Sequence, residues 1–402
     1  MDSTNHQEKI QYHFPLQDYI SNEKFEKIKS FSERKETPFL LIDLNIIKGK
    51  FLELQKRLPF SKIYYAIKAN PLPEVLTLLK ELGSNFDIAS IQELDLVLGL
   101  GISPDRVTYG NTIKKSKHIK YAYDKGVRIF ASDSEEDLIN ISENAPGSKV
   151  FFRILADNTS ADWPLSKKFG AHLDLIFNLV VKCKEKGMEP YGLSFHVGSQ
   201  QRDVGQWESA LSKCSSLFNL LEEEKGIKLK MINLGGGLPS HYNYPIGSIE
   251  EYSKEIERYL HDYFGDELPE IFIEPGRSIV GDSGIIISEV VLVSSKTKMD
   301  KSRWVYLDIG KFGGLMETLD ELIKYPIYTE KTGDAREVIL AGPTCDSMDI
   351  LYEKYKYLMP ETLSVGDKVY FFTTGAYTQS YSSISFNGFP PLKAYILPED
   401  IN

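Results

Sequence analysis

The feature that most constrains the fold is a repeating alternation through the first two thirds of the chain. Short apolar runs are each followed by a longer amphipathic stretch. The runs fall at 62–66, 85–88, 106–109, 127–131, 149–155, 191–196, 230–234 and 270–274, and they are rich in Val, Ile, Leu and Phe. Helical patterns lie between several of them, at 73–82, 91–100, 134–141, 174–186 and 206–224. Apolar strands separated by helices predict a parallel sheet with right-handed crossovers. About eight such units occur, the number that closes a barrel. An open doubly wound sheet is the rival, but it usually carries a Gly-rich fingerprint after its first strand, and none stands there. The reading is an α/β fold with a (β/α)8 barrel over residues 45–280.

Beyond residue 281 the texture changes. Segments at 285–294, 303–308, 337–340 and 368–373 read as β without long helices between them. The apolar run 39–43 is suited to join that second sheet. Residues 1–44 and 281–402 are therefore expected to form a β domain, a sandwich or barrel, with the N-terminal strand joining the C-terminal sheet. No internal repeat or low-complexity linker interrupts the chain.

At 402 residues the chain is long enough for two such domains. Its formal net charge of −10 provides no basic field for nucleic acid and weakly favours cationic small molecules. The three cysteines, Cys183, Cys214 and Cys345, cannot all pair and none has CxxC spacing, which favours a reduced compartment. Cys183 and Cys214 lie in helical stretches and read as structural. The N-terminal stretch is polar, without the apolar run of a signal peptide, and no run of about 18 apolar residues suggests a membrane span. A cytoplasmic location without membrane contact is expected.

In a parallel barrel, chemistry collects where strands end and loops begin. Lys68 lies just past the run IYYAI, His196 ends GLSF, Gly235, Gly236 and Gly237 follow INL, and Glu274, Gly276 and Arg277 follow IFI. A lysine there is either a solvated surface group or an amine desolvated by its strand and able to form a Schiff base. The triple glycine is either a tight turn or a loop whose bare N–H groups approach a phosphate. Arg277 suits the same phosphate. His196 by default packs or orients a loop, unless a cofactor ring lies near. Glu274 by default is a salt-bridge partner, but beside a pyridine nitrogen it would keep that ring protonated. Together these are the parts needed for pyridoxal phosphate: an amine, a phosphate cradle and a carboxylate for the ring nitrogen. In the second domain, Cys345 and Asp346 share the loop GPTCDSMD, where the thiol is either a small buried hydrophobe or an acid. Tyr377, in GAYT, is either a core aromatic or a hydroxyl donor to phosphate. No metal site is read from the sequence.

YAIKAN, FDIAS, SFHVGSQ, LGGGLP, EPGR, GPTCD, GAYT and FNGF stand in this order, between about residues 38 and 396. The set resembles the fold-type III pyridoxal-phosphate decarboxylases, the ornithine and diaminopimelate decarboxylase family. The resemblance implies that Lys68 bonds the cofactor, with Asp87 near it and Arg153 organising the same pocket. It implies that His196 stacks on the pyridine face and Ser199 touches the phosphate. Gly235 to Gly237, Gly276, Arg277 and Tyr377 would belong to the cofactor site, most of them at the phosphate, and Glu274 would bind the ring nitrogen. Active sites of this family lie at a homodimer interface, so the resemblance also implies that a partner subunit donates Cys345 and Asp346, with Cys345 protonating the product carbanion.

For the substrate, a carboxylate at Asp346 suits the distal ammonium of ornithine or lysine. The diaminopimelate branch resembles a Cys-Glu pair at this place. The segment DIGKFGGLMETLDE resembles a bacterial ornithine decarboxylase variant; one gap aligns Asp320 with the substrate carboxylate, and without the gap Glu321 takes its place. Asp320 is preferred. Phe312 stands where many relatives have tyrosine, and HVGSQ replaces HVGSG. The expected activity is decarboxylation of L-ornithine to putrescine and CO2, in polyamine biosynthesis. Lysine is the runner-up, because one methylene is typically worth only about 1–3 kcal/mol. A catalytically inactive regulatory relative would typically lose Lys68 or the Cys345-Asp346 pair, and the GPTCD loop and HVGS run speak against a racemase.

Overall fold

A computed structural model describes residues 10–156, 160–163, 168–299 and 302–398. The extreme N-terminal stretch, through residue 9, lies outside the described residues, as do 399–402. The chain divides into two compact units, one of residues 45–240 and 245–280, the other of residues 1–44, 241–244 and 281–402. The short segment His241–Tyr244 thus belongs to the second unit, although it falls inside the range read as barrel.

The first unit is a closed barrel of eight parallel strands. In chain order they are Ser61–Ala66, Asn85–Ile88, Val107–Tyr109, Ile129–Ser132, Lys149–Arg153, Glu189–Ser194, Met231–Asn233 and Glu270–Ile273. Each pairs in parallel with the next, and the last closes on the first through Ile271 opposite Ser61. The strands are short, β-branched and aromatic, and several of the helices that separate them carry their own start signal. Pro73 occupies the first turn of Pro73–Glu81, Ser90 caps Ile91–Gly99, and Ser248 and Glu251 form a reciprocal capping box at Ile249–Phe264. Tyr64, Ala131, Phe151, Tyr191, Met231 and Phe272 fill the barrel interior as one packed cluster. The rings of Tyr64 and Phe272 lie 4.4 Å apart, so the barrel is a core and not a pore, and its chemistry is confined to the strand ends.

The second unit is an eight-stranded mixed sheet. Its main path runs Ile327–Tyr328, Lys368–Phe372, Gly284–Ser294, Arg303–Leu307, Ala335–Ala341, Ile350–Pro360. The strand Phe39–Ile42 joins this sheet, antiparallel to Gly284–Ser294 and parallel to Lys393–Ile396. Helix Asn22–Ser32 buries Phe25 and Ile28 against Phe39, Leu41, Ile287 and Tyr370. Each such side chain removed from water stabilises by roughly 1.5–3 kcal/mol, which is what holds the N-terminal segment to a sheet made mostly of C-terminal strands.

Candidate active site

The residues singled out in the barrel gather at one end of it. Lys68 lies two positions past Ser61–Ala66, Asp87 is in Asn85–Ile88, and Arg153 ends Lys149–Arg153. His196 and Ser199 follow Glu189–Ser194, the glycines follow Met231–Asn233, and Glu274 to Arg277 follow Glu270–Ile273. These strands are contiguous around the barrel except for the two between Asn85–Ile88 and Lys149–Arg153.

The glycine loop is built for close approach. A methyl group on Gly235 would stand 2.1 Å from the Phe195 carbonyl oxygen, and one on Gly237 would stand 2.7 Å from that of Gly198. One on Gly236 would meet the Glu274 carbonyl at 2.8 Å and His196 Nε2 at 3.1 Å. The loop therefore packs without side chains against neighbouring backbone, and with the Gly235 N–H taken by Asn233, those of Gly236 and Gly237 are the ones suited to an anion. Beside it, Arg277 is buried and donates from Nε and Nη2 to the Ser199 hydroxyl, both at 3.1 Å. The Ser240 hydroxyl donates to the Arg277 carbonyl at 2.8 Å and fixes the start of that turn. A buried guanidinium, a hydroxyl and bare amides on adjacent strand ends form a donor set suited to a phosphate.

Glu274 is positioned by a residue the sequence reading overlooked. Asn233, buried at the end of its strand, donates from Nδ2 to Glu274 Oε1 at 2.5 Å and accepts the Gly235 N–H at 2.9 Å on Oδ1. In the sequence it is a polar residue closing the run before Leu234 and the three glycines, a position that does not by itself distinguish its role. Asp87 is likewise seated, accepting from the Thr108 hydroxyl at 3.0 Å, with Gly110 leaving room for its carboxyl. Burial, and then the neighbouring Glu274, hold the Asp87 carboxyl well above the usual range, while Lys68 and Thr108 pull the other way. Burial raises Glu93 too, against its bond from the Ala89 N–H and the charge on Lys68.

His196 accepts the Gly198 N–H on Nδ1 at 3.1 Å. Burial, followed by the charges of Arg153 and Lys68, holds its pKa well below that of an ordinary histidine. These surroundings favour the neutral ring. Of the two readings left open for Lys68, its surroundings match the exposed one. Ile67–Ala69 form a single tight turn beyond the strand, and the Lys68 side chain is exposed. Its charge still acts on Asp87, Glu93 and His196.

Tyr377, Cys345, Asp346 and Asp320 belong to the second unit. Cys345 is exposed, and its N–H donates to Asn387 Oδ1 at 2.9 Å, while Asp346 Oδ1 accepts the Met348 N–H at 2.8 Å. Asp349, another residue the sequence reading did not use, is buried under this loop. Its carboxylate accepts the Lys311 N–H at 2.7 Å, the Thr344 N–H at 3.1 Å and the Thr344 hydroxyl at 2.7 Å. Phe312, Thr344, Phe386 and Phe389 line a cavity of about 270 Å3 in the same unit. Asp320 is exposed with φ of +51°, and Tyr377 has φ of +55°.

A family model described as the pyridoxal binding domain of pyridoxal-dependent decarboxylases matches residues 44–281, more than half of the chain. This chain belongs to that family. Its cofactor is pyridoxal phosphate, for which the glycine cradle, Arg277 and Ser199 supply fitting donors to the phosphate and Glu274 a carboxylate acceptor for the ring nitrogen. Among relatives of this chain is a lysine/ornithine decarboxylase of Selenomonas ruminantium, 32% identical over 90% of each chain. An ornithine decarboxylase of Schizosaccharomyces pombe is 32% identical over 90% of this chain and 84% of its own. Antizyme inhibitor 2 of Xenopus laevis is 33% identical over 87% of this chain and 79% of its own. A crystal structure of the Vibrio vulnificus lysine/ornithine decarboxylase complexed with cadaverine superposes with a TM-score of 0.84, at 28% identity, covering 94% of this chain and all of that one. Among the described residues no helix is long and apolar enough to cross a membrane.

Proposed function

We propose that this decarboxylase acts on L-ornithine, releasing CO2 and putrescine, with lysine as the competing substrate. The observation that carries the substrate class is Asp346 beside Cys345, in a loop pinned from beneath by the buried Asp349 carboxylate. A carboxylate and a thiol held side by side suit two tasks: binding a distal ammonium and delivering a proton.

When bound, pyridoxal phosphate supplies the electron sink that makes loss of a carboxylate as CO2 feasible. The protein does the rest. Gly235 to Gly237, Gly276, Arg277, Ser199 and Tyr377 hold the cofactor, mainly at its phosphate. Glu274, oriented by Asn233, keeps a proton on the ring nitrogen, and neutral His196 packs on the ring face without opposing that charge. Lys68 would hold the cofactor through its amine, with Asp87 and Arg153 setting the charge around it. Asp346 and Asp320 hold the distal ammonium of a small cationic amino acid. Cys345 gives Cα the proton that replaces the lost carboxylate. A homodimer, in which each copy lends Cys345 and Asp346 to the other, is part of this reading, as are polyamine biosynthesis and a cytoplasmic location.

The Selenomonas and Vibrio relatives, named for both lysine and ornithine, favour dual specificity as the second reading. The likeness to an antizyme inhibitor favours a regulatory, inactive protein, against which stands the retention of Lys68, Cys345 and Asp346. The deciding experiment is amine production from ornithine, lysine, arginine and diaminopimelate with pyridoxal phosphate added. Putrescine well ahead of cadaverine supports ornithine, and comparable rates support dual specificity. No amine from any substrate, with cofactor bound, would remove the catalytic reading. Lys68→Ala should lose the covalently attached cofactor along with activity.

A further inference from the structure

Strand Ile350–Pro360 runs antiparallel to Ala335–Ala341, but its register breaks. Val338 faces Tyr357 while Leu340 faces Tyr352, so two steps along one strand answer to five along the other. The excess forms a wide bulge whose amides are captured by one side chain. Glu321 Oε1 accepts the N–H groups of Glu353 and Lys354, both at 2.7 Å, and Oε2 accepts that of Tyr355 at 2.6 Å. Burial works to raise the Glu321 carboxyl, but these three backbone bonds outweigh it and hold it below the usual range. The main chain of Glu321 is also tied, its carbonyl accepting from Lys324 Nζ at 2.7 Å.

The residue fastened so firmly lies next to one that is not. Asp320 is exposed, and both Asp320 and Glu321 adopt the left-handed backbone region, with φ of +51° and +56°. Two consecutive non-glycine residues in that region are unfavourable by themselves and persist only where surrounding structure holds them. The bulge amides provide that hold at Glu321. Bulges recur beside functional sites, and here the amides freed by the bulge fasten the neighbouring segment that carries Asp320.

We propose that Glu321 is a positioning residue: clamped to the bulge at 353–355, it sets the backbone that presents Asp320 and thereby the discrimination between cationic amino acids that differ by one methylene. This rests on the reading that Asp320 meets the distal ammonium. Glu321 touches no substrate and acts through its neighbour.

The test is a double-mutant cycle in the holoenzyme, with kcat and KM measured for ornithine and lysine. Asp320→Ala should raise KM for ornithine about tenfold or more, with a smaller change in kcat, as expected when a bond to a charged group is lost. Glu321→Ala should raise KM in the same direction and flatten the ornithine-to-lysine ratio. Glu321→Gln, which keeps one accepting oxygen, should fall between Glu321→Ala and the unaltered enzyme. The double variant should be no worse than Asp320→Ala alone, because the second change has nothing left to act through. Multiplying KM effects in the double variant would show that Glu321 acts independently and would overturn the proposal. So would a Glu321→Ala enzyme with unchanged KM and unchanged ratio. If Asp320→Ala leaves KM unaltered for both substrates, the substrate reading fails first and the inference falls with it. The captured amides of Glu353 and Lys354 belong to exposed residues, so water can satisfy them and the variants are expected to fold.

Discussion

Arg277 places both Nε and Nη2 3.1 Å from the Ser199 hydroxyl oxygen. The buried guanidinium is thus oriented from the loop after a different barrel strand before any anion arrives, which lowers the ordering cost of binding. A bond to a charged group contributes about 1.5–3 kcal/mol. Arg277→Ala should therefore weaken retention of pyridoxal phosphate by roughly 10–100-fold, and Ser199→Ala, which removes only the orienting contact, by less. Cofactor dissociation followed by absorbance on dilution measures both. Equal retention in Arg277→Ala and the unaltered protein would place the phosphate elsewhere.

The glycine cradle allows a cleaner comparison. Gly235 and Gly226 have nearly the same φ, +64° and +58°. A methyl group on Gly226 meets nothing within 4 Å, whereas one on Gly235 lies 2.1 Å from the Phe195 carbonyl oxygen. Gly226→Ala should cost about 1 kcal/mol, the backbone penalty alone. Gly235→Ala should cost at least about 1–3 kcal/mol more, the usual range for overpacking, and should also lose cofactor. Denaturant unfolding of the two variants reads the difference, and equal midpoints would mean that the Phe195 contact relaxes freely.

How legible each part was follows from the range of the interactions that make it. The barrel strands are visible because strands buried on both faces are continuous apolar runs, and the strand-end positions of Lys68, the glycines and Glu274 are legible because strand ends are marked by where those runs stop. Asn233 and Thr108 were not, since nothing local separates a polar residue that completes a strand from one that orients a carboxylate across to the neighbouring strand. Strand Ile350–Pro360 was also missed: its bulge puts exposed Glu353 and Lys354 side by side and breaks the two-residue alternation by which strands are recognised. The choice between Asp320 and Glu321 depended on that bulge, because only its amides reveal which carboxylate is already engaged.

His196 carries a pH dependence whose sign is set by burial. Its folded pKa is depressed, first by burial and then by Arg153 and Lys68. The unfolded chain therefore takes up a proton near pH 6.5, where the folded protein does not. Stability attributable to the neutral ring is complete above that pH and is lost as pH falls toward the folded value. His196→Asn keeps an acceptor for the Gly198 N–H and has no proton to gain. In cofactor-stripped protein, the unaltered chain should lose more stability than His196→Asn between pH 7 and 5, as read by denaturant midpoints. Parallel curves would mean that the ring charges in place.

The three cysteines should react very differently. Cys183 and Cys214 are buried, and burial pushes the Cys183 thiol up to about 12 and raises that of Cys214 as well. Only the thiolate attacks an alkylating agent, so both have lost reactivity as well as access. Cys345 is exposed, on a loop fixed by its own N–H bond to Asn387 and by Asp349 beneath Thr344. Native protein treated with iodoacetamide near neutral pH should take up one label, at Cys345, while unfolded protein takes three. If Cys345 also delivers the proton to Cα, labelling should abolish faithful amine production while leaving pyridoxal phosphate bound. Mass spectrometry of the labelled peptide, with product analysis on the same sample, checks both halves. Modification of Cys183 or Cys214 at a comparable rate would mean that the helices carrying them open far more readily than their packing implies. Full amine output from protein labelled at Cys345 would take the thiol out of the reaction.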